Sequence, residues 1–275
     1  MSSDGRKHGD TAMTTSRHAE MLRGAEAIAA RAAETLCMMR GRALDVRRKD
    51  LRDVVTAADL ASEALVLAGI RDLTPAAGIF SEEAGASGPQ DGPRWIVDPL
   101  DGTVNYATGL PWFSVTMAYQ EGGETRAGVV HAPAIAMVAR YAEGGIATVN
   151  GRDARISQCA SLSDAVVSII LTSHFTEREV ARTAAAIRRL GSRVRGVRII
   201  VSGALELVLV ADATLDAFIS LKADAVSHAA AMPLVRAAGG RVTRLDGRDA
   251  TDDDLEKIAS NGLIHDELLA CLDGL

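Results

Sequence analysis

Two aspartates, Asp98 and Asp101, close the segment WIVDPLD (95–101), and Gly102 and Thr103 follow them directly. The lead-in Trp95-Ile96-Val97 reads as a short buried strand, which leaves both acids at its end. A carboxylate buried there without a partner costs several kcal/mol, and a divalent cation is a suitable partner. Pro99 between the acids fixes one φ angle and brings no N–H, so it can hold them rigidly on one side. Gly102 and Thr103 read as a strand-to-helix turn whose backbone N–H groups suit a phosphate. The plainer alternative is a surface turn of the type Asp-Pro-x-Asp-Gly. It explains neither the apolar lead-in nor the patterned tail to Phe113.

Further acids lie nearby in the sequence. The strand expected at 78–83 ends in Glu82 and Glu83. Side chains alternate along a strand, so only one of the pair should face a site. Asp59 and Glu63 stand four residues apart on a helix expected to start at Thr56, and therefore share one face. The alternative there is an ordinary solvated helix face.

The elements that must position these groups follow from periodicity. Residues 1–16 are polar and aperiodic and read as a mobile tail. Apolar residues from Met21 to Met39 recur at helical spacing, which predicts a helix over 17–40 stopped at Gly41. Val54 and Val55 suggest a strand end. After the aspartate segment, 113–120, 127–131, 136–141 and 147–149 alternate like antiparallel strands, with a turn at Asn150-Gly151. The second half reads as strand 165–171, helix 176–190, strand 195–200, helix 202–211 carrying Glu206, strand 215–219, helix 225–238, a last strand from 240 and a final helix over 265–272. This alternation predicts a layered α/β protein. An N-terminal lobe (17–160) would carry the acids and a C-terminal lobe (161–275) the substrate pocket, in one unit.

Composition narrows the function classes. The chain has 275 residues, 48% of them apolar, with 30 basic and 36 acidic residues for a formal charge of −6. No long basic run offers a footprint for nucleic acid. No apolar run reaches transmembrane length, and no apolar signal core opens the chain, so the expectation is a cytoplasmic protein with no membrane partner. Cys37, Cys159 and Cys271 are scattered and odd in number. They suit free thiols rather than a disulfide framework or a zinc site.

The segment Trp95, Val97, Asp98, Pro99, Leu100, Asp101, Gly102, Thr103, Asn105, Tyr106, Gly109, Pro111 resembles the first signature of the inositol monophosphatase-like, metal-dependent phosphatases. The segment Asp53, Val55, Thr56, Ala58, Asp59, Glu63 resembles a second family stretch. The likeness runs from about Ala19 to the C-terminus. It implies an α-β-α-β-α sandwich of the inositol monophosphatase/fructose-bisphosphatase type, commonly a homodimer. It also implies Mg²⁺ held by Glu82, Asp98, the carbonyl of Leu100 and Asp101, with Glu83 orienting water or a neighbouring group. Asp59 and Thr103 would position the attacking water, and Gly102 and Thr103 would receive the phosphate.

The chain departs from its family in the second signature. VSHAAAMPLVRAAGG (226–240) aligns without a gap and puts Ser227 where the family keeps a metal-binding Asp. Ser220 stands where relatives acting on inositol phosphates often keep an acid. Val201 replaces a glycine ahead of the substrate loop Ser202-Gly203. Asp224 lies one helical turn before Ser227 and would reach the metals as an N-cap if the helix began early. The second metal site is thus rebuilt, weak or lost. The reading that results is hydrolysis of a sugar, polyol or amino-alcohol phosphate in specialised metabolism. The alternative is a relative that has lost one metal and runs non-hydrolytic chemistry or only binds.

Overall fold

The computed structural model describes residues 4–40, 47–48, 54–55, 57–172, 175–222, 224–254 and 256–275, with side chains from 15 onward except at 47–48 and 54–55. Gly41, Asp53 and Thr56, named above, lie outside the described residues. The chain runs α1 (Asp4–Met39), β1 (Arg47–Arg48), β2 (Val54–Val55), α2 (Ala57–Leu73), β3 (Gly78–Ser81), β4 (Gly85–Ser87), β5 (Arg94–Asp101), α3 (Thr103–Ala107), β6 (Ser114–Glu121), β7 (Glu124–Ala132), β8 (Met137–Ala142), β9 (Ile146–Val149) and β10 (Arg152–Asp153). It continues through β11 (Val166–Ile169), α4 (Glu177–Gly191), β12 (Gly196–Arg198), α5 (Gly203–Ala211), β13 (Ala217–Ser220), α6 (Ala225–His228), α7 (Met232–Ala237), β14 (Arg241–Thr243), β15 (Lys257–Ser260) and α8 (His265–Leu272).

Apolar alternation sorts these elements into five layers. Met21, Ala25, Ala29 and Leu36 of α1 pack with Val66 and Ile70 of α2 against Trp95, Val97, Met117 and Val129 on one face of an eight-stranded sheet. The opposite face of that sheet, with Ile96, Ala118 and Val130, meets Leu205, Val208 and Leu234 of α5 and α7. Those helices rest in turn on Phe218 and Ala259 of a five-stranded sheet. The far face of the second sheet, with Val167, Ile169 and Ile258, is covered by α4 and α8 through Leu190 and Leu268. The sheet orders are β10-β9-β8-β7-β6-β5-β3-β4 and β12-β11-β13-β15-β14. This is the α-β-α-β-α sandwich that the family resemblance implies, and it agrees with the layered α/β class read from the pattern.

Three expectations change. The helix over 17–40 extends back to Asp4, into the stretch read as a tail. Once a helix is nucleated on a buried stripe, propagating it costs little per residue. The single helix over 225–238 is two, α6 and α7, with Pro233 in the first turn of the second. Proline lacks the N–H that would continue the earlier turn. Finally, β15, a strand that the sequence pattern does not mark, lies between β13 and β14. Four residues, KIAS, are too few to show a period, and only their pairing identifies them.

Candidate active site

The decisive local feature is in β5. It pairs in parallel with β3 and antiparallel with β6, where Asp98 faces Thr116 and Asp101 faces Ser114. Three steps on β5 match two on β6, so the register shifts between the acids. Along a regular strand, residues an odd number apart point to opposite faces. The one extra residue at Pro99-Leu100 is a bulge, and it returns both carboxylates to the same side. The strand therefore continues through the acids, where the sequence suggested that it ended before them.

Asp98 and Asp101 are buried. Together with Glu82, Glu83, Thr103, Asp224 and Ser227 they line a pocket of about 270 Å³. Asp98 Oδ1 accepts the Leu100 N–H at 3.0 Å, and Oδ2 accepts the Ser227 hydroxyl at 2.8 Å. Asp101 Oδ2 accepts the Ser202 hydroxyl at 2.6 Å and the Ala204 N–H at 3.2 Å. Burial first, and then the charges of Glu82 and Asp101, hold the Asp98 carboxyl well above its usual range. Burial lifts Asp101 to about 7 against the hydrogen bond from Ser202, with the charges of Asp224 and Glu82 adding to the rise. Among the described residues, no trio of His, Cys, Asp or Glu already surrounds a single point. Like charges repel, and Asp98 and Asp101 turn to separate donors.

Glu82 and Glu83 sit in the turn after β3, which ends at Ser81, and both line the pocket. The alternation argument that left only one of them facing the site applies to a strand and not to this turn. Asp59 and Glu63 are buried rather than solvated. The Thr103 hydroxyl lies 3.1 Å from Asp59 Oδ1 and 3.0 Å from the Leu100 carbonyl. Glu63 accepts the Ser81 hydroxyl at 2.5 Å and the Ala84 N–H at 2.9 Å, which braces the glutamate turn.

Asp224 is the N-cap of α6 and accepts the Ser227 N–H at 2.9 Å. Its carboxylate faces the pocket that holds the other acids. Ser202 and Gly203, expected on the substrate wall, stand behind it: Ser202 bonds to Asp101, and a Cβ on Gly203 would fall 2.6 Å from His228 Nε2. Ser220 donates to the Lys222 carbonyl at 2.8 Å and lines an adjoining depression with Glu82 and Asp224.

Two residues that the sequence reading named without a role support the site. Asn105 Nδ2 donates to the carbonyls of Trp112 and Ile200, each at 2.8 Å, and of Val201 at 3.1 Å, tying α3 to the loop before α5. Glu206 is fully buried, and burial raises its pKa to about 7. It accepts the Ser168 hydroxyl and, at 3.1 Å, the Ser202 N–H. It thus holds the residue that holds Asp101. The signal available was a lone acid in the apolar run GALELVLVA, because an acid in such a helix needs buried partners.

Gly102 has φ +86, and a Cβ there would lie 2.5 Å from the Trp112 carbonyl oxygen. Gly102→Ala is therefore expected to destabilise the fold by roughly 2–4 kcal/mol, as a denaturant titration would read. An unchanged midpoint would contradict this account of the turn.

The family model for the inositol monophosphatase family matches residues 17–273. The fructose-1,6-bisphosphatase/inositol-1-monophosphatase of Thermotoga maritima is 38% identical over 231 residues, covering 83% of this chain and 86% of that protein. The histidinol-phosphatase of Mycobacterium tuberculosis is 36% identical over 248 residues, covering 88% and 94%. Among solved structures, the extragenic suppressor protein suhB from Bartonella henselae superposes with a TM-score of 0.87 at 28% identity, covering 92% of this chain and 98% of that one. With the bulged acid pair, the pocket and these likenesses together, the chain belongs to the inositol monophosphatase family.

Proposed function

We propose that this protein is a Mg²⁺-dependent hydrolase of a small-molecule phosphate monoester. The observation that carries the reading is one pocket lined by five carboxylates, Glu82, Glu83, Asp98, Asp101 and Asp224. Two of these are buried with raised pKa values. A divalent cation reverses that electrostatic cost. The donor set is oxygen only, which suits Mg²⁺ better than softer metals. Glu82, Asp98, the Leu100 carbonyl and Asp101 would hold it, with Asp224 supplying the charge that Ser227 lacks. When bound, Mg²⁺ neutralises phosphate charge and makes water acidic enough to act as a nucleophile near neutral pH.

The remaining work belongs to the chain. The Thr103 hydroxyl, donating to Asp59, keeps a lone pair free to hold a proton of the attacking water. Glu83 orients that water from the neighbouring turn. The Gly102 and Thr103 N–H groups receive the phosphate, although α3 has only five residues and its dipole adds little. Water attacks phosphorus in line, and the bond to the leaving alcohol breaks.

The substrate class proposed is a sugar, polyol or amino-alcohol phosphate, acted on in the cytoplasm by a homodimer. A catalytically silent binding protein is favoured only by Ser227, and Asp224 in the same pocket weakens that argument. Phosphate release from a panel of sugar, polyol, amino-alcohol and nucleotide phosphates tests the reading. Release should require Mg²⁺ and stop with chelator. Inositol monophosphate should fall at least about tenfold below the best substrate, because Val201 replaces a glycine in the pocket and Ser220 replaces an acid in the depression beside it. No release from any ester would overturn the hydrolase reading, and inositol monophosphate as the best substrate would overturn the specificity.

A further inference from the structure

Val201 has φ +63. The other non-glycine residues with positive φ among those described are Ala136, Asn150 and Ala213. Alanine and asparagine tolerate the left-handed region far better than a β-branched residue, whose Cβ substituents crowd the neighbouring carbonyls. Such a conformation persists only where its surroundings impose it. They do so here from both sides. Asn105 Nδ2 holds the carbonyls of Ile200 and Val201, while Ser202 is pinned through its N–H to Glu206 and through its hydroxyl to Asp101. The backbone path is therefore dictated by the groups that set the acid pair, and a glycine would follow it without strain. What valine adds is a side chain, and Val201 lines the pocket.

It lies there with Val104, Ile170 and Leu171. Val104 is 48% exposed, an apolar side chain left open beside the acids. The side chains of these four carry no hydrogen-bonding group, in contrast to the acids, Thr103 and Thr172 that also line the pocket. A hydroxyl pressed against them gives up a water partner and gains none, whereas an apolar face gains by burial.

We infer that Val201 is a specificity-determining residue that closes the pocket with an apolar wall and selects phosphate esters whose leaving alcohol carries an alkyl or aromatic face over alcohols ringed with hydroxyls. The inference rests on the phosphate-ester reading above and narrows its substrate class, keeping amino-alcohol phosphates with an apolar face and disfavouring sugars and polyols. Deleting the side chain removes the wall. Replacement by glycine also relieves the backbone, whereas alanine keeps a Cβ in the left-handed region.

Cyclohexyl phosphate and inositol 1-phosphate share a six-carbon ring and differ in its hydroxyls, so they isolate this choice. Calorimetric titration of the full chain with each ester, with Ca²⁺ in place of Mg²⁺ to suppress turnover, reads binding directly. The wild type should bind cyclohexyl phosphate more tightly. Both Val201→Gly and Val201→Ala should shift the affinity ratio toward inositol 1-phosphate by about tenfold or more. The melting temperature should rise by about 2 °C in Val201→Gly and by less in Val201→Ala. A ratio unmoved in both variants, or binding of neither ester, overturns the proposal. A fall in the melting temperature of Val201→Gly overturns the account of strain. If the ratio moves while the Mg²⁺ enzyme releases no phosphate from any ester, the wall stands and the hydrolase reading falls.

Discussion

Asp98→Asn is expected to lower Mg²⁺-dependent phosphate release by about 10³-fold or more, with the fold intact. Asp98 is buried at the bulge and receives the Ser227 hydroxyl and the Leu100 N–H. The amide keeps the shape and can rotate to keep one acceptor, but it removes the charge that attracts the cation. Metal catalysis depends on fixed coordination, and losing a charged ligand from such a site forfeits several kcal/mol of transition-state stabilisation. A second readout separates this from misfolding. The folded-state pKa of Asp98 is raised by burial, so its charged form opposes folding above that pKa. That penalty is absent below the unfolded pKa and grows as pH rises through the folded one. In metal-free buffer above neutral pH, Asp98→Asn should thus be at least as stable as the wild type. Mg²⁺ should raise the melting temperature of the wild type and leave the variant unmoved. Near-normal turnover in a well-folded variant would remove Asp98 from the site.

The second large effect concerns Asp224 and Ser227. Asp224 caps α6, and asparagine is as good an N-cap as aspartate. Asp224→Asn therefore removes charge from the pocket while keeping the cap. At an effective dielectric of about 20, one charge at contact is worth about 4 kcal/mol before desolvation offsets much of it. The expected result is a Mg²⁺ concentration for half-maximal rate raised about 10- to 100-fold, with little change in melting temperature without metal. Ser227→Asp would place another carboxylate beside Asp98, whose Oδ2 now accepts the serine hydroxyl at 2.8 Å. With Asp224 already in place, the substitution should do little for metal binding and should destabilise the metal-free protein by like-charge crowding. Tighter Mg²⁺ binding in Ser227→Asp together with no effect of Asp224→Asn would reverse the assignment and make Ser227 the weak point of the site.

Much of this protein was determined by local sequence. The chemistry of the acid pair followed from Asp98, Pro99 and Asp101, because a proline between two strand-end acids restricts the chain whatever surrounds it. The layered α/β class followed from apolar periodicity, which records the faces each element must bury. Local pattern carries no pairing register, however, and the tertiary structure decided what depends on register and on contacts distant in sequence. The bulge exists only against β6, and without it Asp98 and Asp101 would point to opposite faces. The turn that presents both Glu82 and Glu83 is braced by Glu63 from another helix. The break before Pro233 ended α6 after one turn, with Asp224 as its cap beside the acids. Glu206, Ser202 and Asp101 form a chain of support between α5 and β5, joined by a contact across 101 residues. Whether a buried acid becomes a ligand, a brace or a cap is set by which donors the fold brings within about 3 Å of it, and those donors lie on other elements of the chain.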